Sequence, residues 1–146
     1  MVSKFLLLSG LIVASSPLLA NAGCTKGSEY EPPLCPIKLP KIVAVHIEEN
    51  AARAVASKDS EIDCSTFGIN AKTVRRFLSR AKEANESDAH HTLDWSPCYA
   101  SGTATLADGR KAHWSINQAQ TGSFYIDGDR RIFLYCPSCK FRPFLY

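Results

Sequence analysis

The chain is poor in several things, and each shortage excludes a class. One methionine occurs in 146 residues, and the formal charge is only +3. So mild a basic surplus lacks the electrostatic footprint of a nucleic-acid binder. The chain has no G-x-S-x-G elbow and no H-E-x-x-H helix. That removes the hydrolases and zinc proteases built on those two motifs. It has no second C-x-x-C to complete a four-cysteine zinc site. Charged residues make up 21% and hydrophobic residues 45%, which excludes both a disordered tail and a polytopic membrane protein. No internal repeat is present, since the two Asp-Gly pairs are too common a device to count as one. The length allows one domain, or one domain with an appendage.

Six cysteines are there, and they point to an oxidising compartment. The first 22 residues read as a secretory signal peptide. Lys4 supplies the positive start, residues 5–14 the apolar stretch, and Ala20-Asn21-Ala22 the small-x-small cleavage pattern. A membrane anchor is the rival, but Ser9, Gly10, Ser15, Ser16, Pro17 and Asn21 interrupt the apolar run. A lipid-modified Cys24 is a second rival. It requires a Leu-like residue where Asn21 stands, and it leaves an odd number of thiols. The expectation is export to a periplasm or the medium, with no transmembrane segment in the mature chain.

Residues 23–40 read as a Pro-rich arm. Pro32, Pro33, Pro36 and Pro40 each fix φ and remove a donor, so neither a helix nor a central strand runs through. Residues 41–146 read as one α+β domain. Residues 42–47 are β-branched and strand-like, with Val43, Val45 and Ile47 forming the more apolar face. Residues 49–63 lose that pattern and read as loop. Residues 71–84 read as the clearest helix. Asn70 suits the N-cap, Ile69 and Val74 a hydrophobic staple, and Val74, Phe77, Leu78 and Ala81 one apolar stripe.

From Leu93 the period changes to two. Asp108-Gly109 and Asp127-Gly128 read as two-residue type I′ turns. In that register Thr103 faces Trp114 and Thr105 faces Ala112. The expected fold is an antiparallel meander of four or five strands with one amphipathic helix on one face, stapled by disulfides. Proximity suggests Cys24 with Cys35, Cys64 with Cys98, and Cys136 with Cys139, though Cys98 could instead take either of the last two.

The candidate chemistry is sparse. Cys136-Pro-Ser-Cys139 could be a redox dithiol, half of a zinc site with His90, His91 or Cys98, or a structural disulfide. Too little chain follows it for the helix that usually lowers a reactive thiol's pKa, so the structural reading leads. His90 and His91, with Asp88 or Asp94 and with Ser96 or Ser115, are the raw material of a small hydrolase. Asp127-Gly-Asp129 lacks the rest of a calcium loop and reads as a turn. Asn85-Glu86-Ser87 is a glycosylation acceptor pattern. The basic face of the helix, with Arg75, Arg76, Arg80 and Lys82, could meet an acidic protein, a glycan or an envelope component. The leading reading is a non-catalytic exported binding or inhibitor-type module without a cofactor or metal. The rival is a small exported enzyme, either a hydrolase using His90 or His91 or a thiol–disulfide oxidoreductase using Cys136 and Cys139.

Overall fold

The computed structural model describes residues 23–57 and 61–145. The segment read as a signal peptide, residues 1–22, lies outside the described residues. The elements run β1 (Ile42–Arg53), α1 (Ala71–Arg80), β2 (Lys82–Ala84), α2 (Glu86–His91), β3 (Cys98–Leu106), β4 (Lys111–Asn117), β5 (Thr121–Ile126) and β6 (Ile132–Tyr135). The strands form one antiparallel sheet of six, in the order β1-β3-β4-β5-β6-β2. Four or five strands were expected, and the extra one is β2. No described helix is long and apolar enough to cross a membrane.

The helix starts where its cap residues place it. The Asn70 side chain accepts from the Thr73 amide at 3.0 Å, and the Asn50 side chain clasps both the amide and the carbonyl of Ile69 at 2.9 Å. It ends four residues earlier than expected. Residues 82–84 are good helix formers, but they pair with β6 and with the arm instead. Cys35 and Glu83 exchange two backbone hydrogen bonds of 2.8 Å, a long-range pairing that outweighs local propensity. Lys82 therefore sits on a strand and not on the helix face.

Residues 49–63 are not one loop. β1 continues to Arg53, and short 3-10 turns follow at Val55–Ser57 and Cys64–Phe67. The pairing of β1 with β3 shifts register three times, and Ala51 has φ 51°. The first shift, between Ile42 and Ala44, re-phases the strand. Ile42, Val45 and Ile47 pack on the core, whereas Val43 is turned out and 51% exposed.

The first Asp-Gly hairpin has a three-residue loop in place of the expected two-residue turn. Leu106 donates to Arg110 and Gly109 donates to Leu106, both at 2.9 Å. Positive φ falls on Gly109 and Gly128 and not on the aspartates, so neither turn is type I′. Pairing slips by one residue, and Gly102, not Thr103, stands opposite Trp114. The slip depends on that glycine. A Cβ there would lie 2.1 Å from the His46 carbonyl oxygen and 2.9 Å from Trp114 Cζ2.

One face of the sheet is closed. Phe77 and Leu78 of α1 meet Trp114, Ile116, Phe124 and Leu134 there, with Phe144 stacked on Phe77 at 5.6 Å between ring centroids. Three disulfides surround this core: Cys24–Cys35, Cys64–Cys98 and Cys136–Cys139. The second encloses the whole of α1 in its loop, and its sulfurs lie in the core. The first occupies the sulfur of Cys24, which leaves no thiol there for a lipid.

Candidate functional site

The other face of the sheet is open, and strand pairing lays out its side chains. Ser101 stands opposite Ser115, Ser115 opposite Ser123, and Ser123 opposite Phe133. Beside this row, Thr103 faces His113 and His113 faces Tyr125. On the far side, Tyr99 faces Asn117 and Thr121 faces Tyr135. The face is thus polar and aromatic, where its reverse is aliphatic and aromatic.

A wall rises over the β6 end. Asn85, the residue after the helix expected over residues 71–84, caps α2, accepting from the Asp88 amide at 2.8 Å. His90 from α2 packs edge-on to Phe133, with ring centroids 5.2 Å apart. The chain then descends through Trp95, which is 62% exposed. Its landing is fixed: Ser96 donates its amide to Asn117 Oδ1 at 3.2 Å and its hydroxyl to Gln118 Oε1 at 3.2 Å. Between this wall and the sheet lies a cleft of about 430 Å³. Its lining includes His90, Trp95, Tyr99, Ser115, Thr121, Ser123, Arg131 and Phe133, and no carboxylate. A smaller hollow of about 220 Å³ continues it toward β1, sharing Ser115, Ser123 and Arg131 and adding Glu48, Ser101, His113 and Tyr125.

Among the described residues, the hydroxyls of Ser115, Thr121 and Ser123 make no side-chain hydrogen bond. Arg131 makes no ion pair there either; its guanidinium lies over the Tyr125 ring at 4.8 Å. Carboxylates appear beside the smaller hollow, where Glu48 is part of the lining. Glu49 accepts from the Ser101 hydroxyl at 2.7 Å. Burial, helped by the Glu49 hydrogen bond and charge, pushes the Tyr99 phenol above its ordinary pKa. Burial also raises the Tyr135 phenol, with smaller contributions from Glu31 and Asp94. Both phenols stay neutral donors at physiological pH.

The sequence-based candidates separate on this frame. His90 lines the cleft with Ser96 and Ser115, but no hydrogen bond joins it to either serine among the described residues. His91 does not line the cleft. Both histidines lie on a short helix. Asp88 accepts from the Thr92 hydroxyl at 3.0 Å, away from both imidazoles. The imidazole–carboxylate pair that does form is His113 with Asp127, at 2.9 Å, and His113 also stacks on Tyr125. Register brings these together across β4 and β5, which no local pattern announces. Cys136 and Cys139 are bonded to each other and wholly buried. Among the described residues no three metal-ligating side chains cluster.

The basic residues of α1 disperse. The Arg75 guanidinium donates to the carbonyls of Ile42 and Val43 at 2.7 and 3.0 Å. Arg76 lies 3.8 Å over the Phe141 ring. Arg80 is exposed on the last turn, and Lys82 is half-buried on β2. Compared with protein-family models, with curated proteins and with solved structures, the chain matches none.

Proposed function

We propose that this protein is an exported, non-catalytic binding module whose ligand sits in the cleft on the open face of the sheet. Export is supported by the signal-like first 22 residues and by the three disulfides. The observation that carries the binding reading is a row of hydroxyls without side-chain hydrogen bonds beside a guanidinium without an ion pair, among the described residues, in one concavity. Ser115, Thr121 and Ser123 project from strands whose backbones are already paired, so they are held in place before any ligand arrives, and Arg131 stands immediately before β6 with its guanidinium laid over the Tyr125 ring. Exposed aromatic rings beside them supply apolar contact at low entropic cost.

The hydrolase reading has less behind it. Nucleophilic catalysis needs a hydroxyl or thiol within hydrogen-bond reach of a base that is itself oriented. His113 has the orienting Asp127 but no hydroxyl bonded to its ring among the described residues, and His90 has neither. The oxidoreductase reading needs an accessible sulfur, and both sulfurs of Cys136–Cys139 are inside the core. Of the four basic residues singled out on the expected helix, Arg80 and Lys82 are left for an acidic protein, glycan or envelope component. Arg75 and Arg76 are already engaged within the fold.

The test is amide-resolved NMR with a panel of small saccharides, carboxylates and peptides, run beside turnover assays on ester, phosphate and glycoside substrates. Shifts are expected to cluster at the amides of Tyr99, Ser115, Ser123 and Phe133, without turnover. Shifts centred on Arg76 and Arg80, or turnover abolished by His113→Ala or His90→Ala, overturn the reading.

A further inference from the structure

Resting on that binding reading, we infer the chemical class of the ligand: an acidic saccharide, whose carboxylate meets Arg131 while its sugar rings lie along Trp95 and Tyr99. Charge comes first. Arg131 is the only permanently charged side chain lining the larger cleft, and it has no carboxylate partner among the described residues. It also lines the smaller hollow, so it stands where the two meet. Its contact with Tyr125 is through the ring face. A guanidinium so placed keeps its forked N–H donors for an incoming carboxylate, which it can bind through two parallel hydrogen bonds.

The rest of the lining decides between ligands bearing a carboxylate. An extended peptide gains affinity by adding a strand to a free sheet edge. The cleft offers no such edge, because β3, β4, β5 and β6 are each paired on both sides. Nor does it offer a deep aliphatic hole for a side chain; Leu134, at 1% exposure, is already covered. What it offers is flat rings and unpartnered hydroxyls close together. Trp95, Tyr99 and Phe133 present apolar faces, while Ser115, Thr121 and Ser123 can each donate and accept. A pyranose has the matching surface, with C–H groups on its faces and hydroxyls around its rim. A volume of about 430 Å³ suits two or three such rings in an open cleft.

The experiment is calorimetric titration of the mature protein with three acidic saccharides and their neutral counterparts. The pairs are tetragalacturonate with its methyl ester, a hyaluronan tetrasaccharide with its methyl ester, and sialyllactose with lactose. At least one acid should bind about tenfold or more tighter than its neutral partner, and the advantage should shrink as salt rises. Arg131→Gln should erase the difference between acid and neutral partner; Arg131→Lys should keep part of it. Trp95→Ala should weaken both members of the pair. Both positions are exposed, and an unchanged thermal midpoint verifies that each variant folds. Equal binding of acid and neutral sugar, or an acid advantage that survives Arg131→Gln, overturns the role of Arg131. No binding by any acid overturns the saccharide class, while NMR shifts from other ligands in the same cleft would leave the site itself standing.

Discussion

On the closed face of the sheet, Trp114, Ile116 and Phe124 are at most 2% exposed, sealed by α1 and by Phe144. On the open face, His113, Ser115 and Tyr125 come from the same strands, one residue out of step, and remain half-buried. Nothing but the alternation of a strand separates the two environments. One side holds interlocked apolar side chains and accounts for stability. The other holds hydroxyls such as those of Ser115 and Ser123, which make no side-chain hydrogen bond among the described residues, contribute little to stability and are free to meet something else. Substitutions should therefore sort by face, and the sorting can be measured.

The largest effect is expected from Phe77→Ala. Its ring is fully buried between the sheet and Phe144, so the loss should be on the order of 3–5 kcal/mol in denaturant unfolding. Arg76→Ala, one residue away but exposed, removes only a stacking contact with Phe141 and should cost about 0.5–1 kcal/mol. Equal shifts of the two midpoints would break the comparison at its root. Replacing Cys64 and Cys98 together by serine opens the loop around α1 and should cost roughly 3–4 kcal/mol by the chain-entropy model.

Gly102→Ala sharpens the comparison, because its Cβ collides with the backbone of β1 as well as with Trp114. The strands must move, at about 1–3 kcal/mol. Ser115→Ala and Ser123→Ala lie on the other face and lose no hydrogen bond within the described residues. Each should change stability by no more than about 0.5 kcal/mol. A larger loss at either serine would mean that the open face is structural.

The smallest effect is at high pH. Tyr99 and Tyr135 have phenols raised above the ordinary value of 10.0, so the folded state holds those protons more tightly than the unfolded chain. Their contribution is complete below pH 10.0 and is lost as pH rises through the raised values. The melting temperature should fall on the alkaline side, less steeply in Tyr99→Phe and Tyr135→Phe. An alkaline slope unaffected by both changes removes these phenols as its cause.

Much of the closed face was legible in the sequence, because its signals are local. The cap at Asn70, the stripe of Val74, Phe77 and Leu78, and the two Asp-Gly hairpins each occupy a short window. What could not be read depends on distant pairing. Residues 82–84 are helical by composition, and only β6 and Cys35 draw them into a strand. Asp108-Gly109 suits either a two- or a three-residue loop, and the choice moved every residue of β3 relative to β4. The candidate site was illegible for the same reason. Ser115, Ser123, Arg131 and Trp95 are individually ordinary residues, and they become a cleft only through registers summed over several strands and a wall anchored by Asn117. His90 could be singled out beforehand, but the second helix that carries it, begun by Asn85, was not expected.

The bond from Arg75 to the carbonyls of Ile42 and Val43 has a consequence for the molecule in a crowd. β1 closes the sheet with a twelve-residue outer strand, the kind of border on which further copies of a chain can stack into fibres. Three register shifts break that border into short pieces, Glu48 and Glu49 charge its middle, and the Arg75 fork occupies its first two acceptors. Read from the sequence as a hook for an acidic partner, this arginine instead covers one end of that border in the folded molecule. Arg75→Ala should leave a chain that folds but polymerises faster on concentration, seen as a shorter lag in light scattering.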